Sequence, residues 1–219
     1  QLKGAAVLIN DRAVQPGELL LVDSGGQYVE GTTDITRTGA RGTPSLEAQQ
    51  AFTRVLQGMI AISRARWPQG LAGRDLDPLA RAPLWMAGQD YMHGTGHGVG
   101  VFLCVHEGPQ RLSRMSEVPL EPGMILSNEP GYYREGEYGI RIENLIVVRS
   151  AEAKGDARAQ HDFETLTWVP IDLRLVEVNM LAPGERDWLN AYHARITDLM
   201  AGRLSDDAAA WLAQAARAI

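Results

Sequence analysis

Apolar positions along this chain follow strand and helix periods in turn. Residues 19–22 (Leu-Leu-Leu-Val) are continuously apolar, the pattern of a strand buried on both faces. A hairpin is expected from there to about residue 38, turning at Glu30-Gly31. Thr43-Pro44 reads as a helix cap with proline at the first helical position. Phe52, Val55, Leu56, Met59 and Ile60 then recur at three- and four-residue spacing, one apolar helical face. A shorter helix is expected over 75–86, whereas 93–100 is too rich in glycine for a helix interior. Strands are expected at 101–106, 124–129, 139–148 and 163–171, with an exposed polar loop over 150–162. Beyond that the helical period returns. Trp188, Tyr192, Ile196 and Leu199 share a face of a helix starting near Pro183, and Ser205 caps a last, alanine-rich helix carrying Trp211 and Leu212. The expected organisation is one α+β domain over 1–172 and a helical extension over 173–219, the latter a packing or subunit-contact element.

Two stretches share a pattern. Pro16-Gly17 precedes an apolar run ending in Asp23, and Pro122-Gly123 precedes one ending in Glu129; the spacing from proline to carboxylate is seven in both. Each stretch continues through glycine, tyrosine and a Glu-Gly pair to a second carboxylate, Asp34 or Glu143. The chain therefore contains two related hairpins about a hundred residues apart. If they face one another across a pseudo-twofold axis, four carboxylates converge. Asp23 ends an apolar strand and Glu143 lies between Ile142 and Asn144 in a largely apolar stretch, where ionised carboxylates require cations nearby. That constellation favours metal over ordinary solvated acids.

Composition narrows the classes. The chain has 219 residues with a formal net charge of −6, so nothing favours a nucleic-acid partner. No apolar run approaches the roughly 20 residues of a membrane span. The single cysteine, Cys104, fits a reducing, cytoplasmic setting. His93 and His97 have the spacing of a helical zinc motif, but Gly94, Gly96 and Gly98 remove the helix, and the acid that should follow the first histidine is absent. The same glycines fail the dinucleotide fingerprint, since Val99 stands at the closing position. Cys104 and His106 on one side of a strand would suit a cysteine hydrolase, but an apolar strand buries and silences the thiol. No Gly-x-Ser-x-Gly elbow anchors a serine hydrolase.

The segments Val-Asp-Ser-Gly-Gly-Gln-Tyr-Val-Glu-Gly-Thr-Thr-Asp-Ile-Thr-Arg-Thr (22–38), His-Gly-Thr-Gly-His-Gly-Val-Gly (93–100), Val-His-Glu-Gly-Pro (105–109), Asn-Glu-Pro-Gly-Tyr-Tyr (128–133) and Gly-Ile-Arg-Ile-Glu-Asn (139–144) together resemble the Xaa-Pro aminopeptidase (aminopeptidase P) family of pita-bread metallopeptidases, whose other members include prolidase and methionine aminopeptidase. The tail segments 166–172 and 185–190 are similar to the extension of the three-domain type. The resemblance implies an α+β pita-bread fold with a pseudo-twofold repeat and a dinuclear site. Asp23 would bind one ion, His97 and Glu129 the other, and Asp34 and Glu143 would bridge. His93 and His106 match residues that contact substrate and stabilise the tetrahedral intermediate, Arg141 matches one close to the bridging carboxylates, and Glu129 would also carry the proton. Oxygen-rich donors with one imidazole suit Mn²⁺, with Zn²⁺ or Co²⁺ as alternatives. Two such ions can activate a shared water.

The implied substrates are peptides with proline in second place, and the implied full-length assembly is a homodimer. A prolidase-like dipeptidase and a non-catalytic peptide- or protein-binding module are the rivals. Family members carry another histidine upstream of the first metal aspartate. Residues 1–22 hold none, and the opening elements of the first half are expected to be missing.

Overall fold

The computed structural model describes residues 12–101, 104–152, 154–155 and 157–219. It opens on an antiparallel hairpin of β1 (Leu19–Gln27) and β2 (Thr32–Ala40), with Asp23 opposite Thr36 and Gly25 opposite Asp34. The turn falls at residues 28–31, as the sequence pattern predicts. Burial of β1 on both faces is not what the structure shows. Among the described residues β1 pairs only with β2, and Leu20 and Val22 are each 48% exposed. β2 alternates cleanly instead: Asp34, Thr36, Thr38 and Ala40 are buried on one face.

Ser45, not Thr43, caps the first helix, α1 (Leu46–Ser63), its hydroxyl accepting from the Ala48 N–H at 3.2 Å. Pro44 therefore precedes the cap rather than opening the helix. Phe52, Val55, Leu56, Met59 and Ile60 are all at most 1% exposed. Removing each from water stabilises the fold by about 1.5–3 kcal/mol. A short strand β3 (Arg66–Pro68) leads to α2 (Gly73–Trp85), whose Asp75 carboxylate reaches back to the Ala72 N–H at 2.8 Å. β4 (Gly96–His97) and β5 (Arg111–Leu112) form a minimal pair. No strand covers the described part of 101–106, and residues 102 and 103 lie outside the described set.

β6 (Ile125–Asn128) is followed by a second hairpin, β7 (Gly131–Arg134) and β8 (Tyr138–Arg141). β9 (Asn144–Ala151) and β10 (Gln160–Thr165) complete an antiparallel sheet in the order β3-β10-β9-β6. The single strand expected over 139–148 is thus two. Ile142 and Glu143 fall between them because their N–H groups go elsewhere, to Pro130 O at 3.3 Å and Thr36 O at 3.0 Å. The strand expected over 163–171 starts earlier and stops at Thr165; beyond it, Pro170 has no N–H for a ladder. Gly17 and Gly123 both hold positive φ, +89° and +92°, so the two repeated Pro-Gly turns share one backbone shape.

The C-terminal elements are α3 (Pro183–Met200) and α4 (Asp206–Ala215), the latter capped by Ser205 as expected. One core joins α1 to Ile140, Ile142, Ile171, Leu189, Tyr192, Ile196 and Leu212. A second lies between α2 and the four-stranded sheet, around Leu76, Leu112, Leu126, Ile146 and Phe163. Of the two large apolar residues on α4, Leu212 is buried, whereas Trp211 is 64% exposed. No helix among the described residues is long and apolar enough to cross a membrane.

His193 of α3 is wholly buried and takes the Ile171 N–H on Nε2 at 3.1 Å. Burial, with the Arg37 and Arg217 charges nearby, lowers its pKa from 6.5 to about 4. The unfolded chain therefore binds the extra proton between those values. The stability contribution is complete above pH 6.5 and is lost as pH falls towards 4, at most about 3 kcal/mol. Urea unfolding at pH 7 and pH 4.5 is expected to show a larger acid loss for the wild type than for His193→Gln; equal losses would refute the assignment.

Candidate metal centre

The two hairpins meet edge to edge where β2 runs past the break between β8 and β9. Thr38 Oγ1 both accepts from the Arg141 N–H and donates to the Arg141 carbonyl, each at 3.0 Å. One step along, Thr36 O accepts from Glu143 N at 3.0 Å and Thr36 Oγ1 donates to Glu143 Oε2 at 2.6 Å. Strand alternation places Asp34 on the same face, two residues before Thr36. The third component arrives from β4. The Gly96 backbone passes so close to β6 that an added Cβ would lie 1.9 Å from Ser127 O, a contact only glycine permits. His97 N donates to Ser127 Oγ at 2.9 Å, and Ser127 Oγ donates to Glu129 Oε1 at 2.8 Å.

These elements bring Asp34, His97 and Glu143 together, each offering a ligand atom within 4.8 Å of the others. Glu129 joins through His97, whose Nε2 is 3.4 Å from both Asp34 Oδ2 and Glu129 Oε1. Asp23 does not share this closeness. Its carboxylate is 51% exposed, so it does not end a buried strand, and it is held by Arg141 Nη2 at 2.5 Å. Arg141 Nε donates to Thr36 Oγ1 at 3.0 Å and lies 3.8 Å from Glu129 Oε2, linking Asp23 to the cluster. His106 is exposed, its ring edge-on to His97 with centroids 4.1 Å apart. His93 is half-buried, its Nε2 2.8 Å from Tyr133 OH, which also accepts from Arg141 Nη1 at 3.1 Å.

The electrostatics fit a cation. Burial is the largest influence on Glu143 and raises its pKa from 4.5 to about 8, with Glu129, Asp34 and Asp23 adding to the rise and Thr36 opposing it. Burial raises Glu129 as well. At His97 burial favours the neutral ring, but Asp34, Gly98 O and Glu129 outweigh it and the pKa rises. The cluster thus balances its charge by gathering protons, which divalent ions would replace. His97 Nδ1 lies 3.0 Å from Gly98 O. A proton there leaves the Nε2 lone pair facing two carboxylates, the arrangement of a metal-ligating imidazole. Three carboxylates and one imidazole, with Asp23 adjacent, form a hard, oxygen-rich donor set suited to divalent cations.

The loop carrying both histidines is fixed from beneath by a buried network that sequence reasoning missed. Arg81 of α2 donates to Asp77 Oδ2 at 2.7 Å, Asp90 Oδ1 at 2.8 Å, Tyr91 O at 2.7 Å and His93 O at 2.8 Å. Asp77 Oδ1 also accepts from Thr95 Oγ1 at 2.6 Å, and Thr95 O accepts from Glu129 N at 2.7 Å. The Tyr91 ring lies under the Arg81 guanidinium at 4.0 Å. Burial alone would raise Asp90, but hydrogen bonds from Trp85 and Arg81 hold its carboxyl down at about 2. The i,i+4 spacing of Asp77 and Arg81 is visible in the sequence, yet it reads as an ordinary surface pair. Thr36 and Tyr133 were missed too; Thr36 was findable from its two-residue spacing to Asp34. Cys104 is half-buried in irregular chain, its thiol donating to His106 O at 3.3 Å, so neither the strand nor the full burial expected for it is present.

Comparison with known proteins places this geometry. Residues 4–150 match the model of metallopeptidase family M24, and residues 160–219 match the C-terminal region of peptidase M24. Aminopeptidase P1 of Arabidopsis thaliana is 46% identical over 208 residues, covering 92% of this chain and 32% of that protein. Aminopeptidase P2 of the same plant is 52% identical over 187 residues, 84% of this chain and 26% of its own length. The crystal structure of X-prolyl aminopeptidase from Caenorhabditis elegans, described as a cytosolic enzyme with a di-nuclear active site, superposes with a TM-score of 0.86 at 41% identity, over 92% of this chain and 33% of that one. Xaa-Pro dipeptidase from Bacillus anthracis superposes less completely, with a TM-score of 0.63 at 32% identity over 75% of this chain and 43% of that one. The chain spans between a quarter and a third of the length of these curated relatives. With two hairpins joined at a carboxylate cluster and family models matching both its sheets and its C-terminal helices, the chain belongs to metallopeptidase family M24 and has its pita-bread fold.

Proposed function

We propose that this chain carries the dinuclear centre of an Xaa-Pro aminopeptidase, a hydrolase that releases the residue preceding proline. The observation that carries the reading is the convergence of Asp34, His97 and Glu143 within 4.8 Å, in a chain similar over most of its length to aminopeptidase P. Asp23, Asp34, His97, Glu129 and Glu143 would hold two divalent ions, with Mn²⁺ the preferred metal for so hard a donor set and Zn²⁺ or Co²⁺ the alternatives. When bound, the ions supply Lewis acidity for an attacking water and for the scissile carbonyl.

The protein's own groups do the rest. Glu129 Oε1 is occupied by the Ser127 hydroxyl, which leaves Oε2 to receive and return the proton. His106, exposed beside His97, offers an N–H to the substrate carbonyl as charge develops on its oxygen. His93 is oriented by Tyr133 to contact the substrate, and Arg141 fixes Asp23 against the cluster. A proline in second place makes the scissile bond a tertiary amide with no N–H, and its rigid ring suits a shaped pocket. The catalytic unit is assigned to 1–172 and the helical extension to 173–219, within a cytoplasmic homodimer.

Prolidase-like action is the rival, and substrate length separates the two. With Mn²⁺ supplied, Arg-Pro-Pro is expected to be cleaved to Arg and Pro-Pro, whereas a prolidase would act on the dipeptide Arg-Pro and spare the tripeptide. Metal analysis stands apart from activity: no stoichiometric metal after Mn²⁺ loading would return the chain to the class of non-catalytic binders.

A further inference from the structure

Arg37 lies on the face of β2 opposite Asp34 and Thr36, yet its guanidinium reaches around to the junction of the two hairpins. Nη1 donates to Glu143 O at 2.6 Å and to Thr36 O at 2.9 Å, the two peptides that set how far Asp34 stands from Glu143. Nη2 donates to Asn144 Oδ1 at 2.7 Å and to Tyr192 OH at 2.9 Å. Every acceptor in this set is a neutral oxygen, so Arg37 serves as a fork rather than as half of an ion pair.

Tyr192 is the far end of the link. It belongs to α3, is 3% exposed, and its ring is stacked between Trp168 and Trp188 with centroids 5.2 Å and 5.1 Å away. Its hydroxyl accepts from Arg37 and from the Val169 N–H, and turns its own proton to the carbonyls of Thr167 and Val169. A rigid aromatic on the C-terminal helix is therefore two hydrogen bonds from the Glu143 backbone.

We propose that Arg37 and Tyr192 are positioning residues through which the C-terminal helices fix the spacing of Asp34 and Glu143, and hence the metal affinity of the site. The proposal rests on the metal-centre reading above. It gives α3 a task beyond the packing and subunit contact expected of it from sequence.

The test is the Mn²⁺ dissociation constant of the chain, measured by isothermal titration at fixed pH for wild type, Tyr192→Phe, Arg37→Lys and Ile196→Val. Tyr192→Phe removes one hydroxyl, and Arg37→Lys keeps the charge but loses the fork. Ile196→Val trims one methyl from the same helix, one turn beyond Tyr192, and removes no hydrogen bond of the link. Groups that orient metal ligands typically account for about 10–100-fold in affinity, so the first two variants are expected to weaken Mn²⁺ binding by about tenfold. Ile196→Val should bind within twofold of wild type, and thermal unfolding reports how far each variant is destabilised. Unchanged affinity in both link variants overturns the proposal, as does an equal loss in Ile196→Val. A wild-type chain that takes up no Mn²⁺ refutes the metal-centre reading itself, which is a separate failure.

Discussion

Asp34→Ala is expected to leave the chain folded, to reduce its bound divalent metal from two ions to at most one, and to remove the peptidase activity proposed above. Asp34 is 8% exposed and faces His97 and Glu143, and among the described residues its only polar contact is His97 Nε2 at 3.4 Å. Without a cation this carboxylate helps to raise both Glu143 and Glu129. Its removal therefore relieves repulsion in the metal-free protein, whose melting temperature should hold or rise. With metal the sign reverses, because a shared ligand is lost. Metal ions stabilise transition-state charge by several kcal/mol, so kcat/KM on Arg-Pro-Pro should fall on the order of 10³-fold. Metal analysis, melting curves with and without Mn²⁺, and the peptide assay read the three effects separately. A variant with unchanged metal content and rate would remove Asp34 from the site.

Arg81→Met should be among the most destabilising single changes in the chain. Arg81 is 3% exposed and Asp77 0%, so among the described residues the substitution leaves a buried carboxylate with only the Thr95 hydroxyl as partner. Breaking a buried pair on one side costs about 3–5 kcal/mol, whereas replacing both partners costs less. Urea unfolding should therefore show Asp77→Asn combined with Arg81→Met to be more stable than Arg81→Met alone. A single-variant loss below about 1 kcal/mol would mean that the pair is not shielded as the structure indicates. The damage should extend to the histidine loop, since Arg81 also holds His93 O and Thr95 holds Glu129 N.

Much of this fold could be read from local pattern. The apolar face of α1 is continuous enough that every residue named on it is buried, and Ser205 and Pro183 mark the starts of α4 and α3 as capping chemistry requires. The Pro-Gly repeat singles out four carboxylates, and the resemblance to the aminopeptidase P family adds His97 as the fifth metal-ligand candidate. What the sequence hid is non-local. Whether Leu20 and Val22 are covered depends on what packs over β1, not on their own apolar run. The break at Ile142–Glu143 depends on Thr36 accepting a hydrogen bond from a residue 107 positions away, which no window of sequence contains. Asp77 and Arg81 have the spacing of an exposed helical pair, and only the tertiary fold turns them inward. The same limit applies to Arg37, whose partners come from the break before β9, from β9, from the segment before α3 and from α3 itself.

The scatter of the cluster along the chain has a consequence for how long the folded protein lasts. Residues 34, 97 and 143 converge only after both hairpins and the β4 loop have docked. The unfolded chain therefore offers a cation nothing comparable, and mass action favours the native state alone. At a free metal concentration one hundred times the dissociation constant, that linkage adds about 2.7 kcal/mol. A chelator should then shorten the protein's survival against proteases before it disturbs any backbone element, because the cation acts as a clasp across three separate stretches of chain.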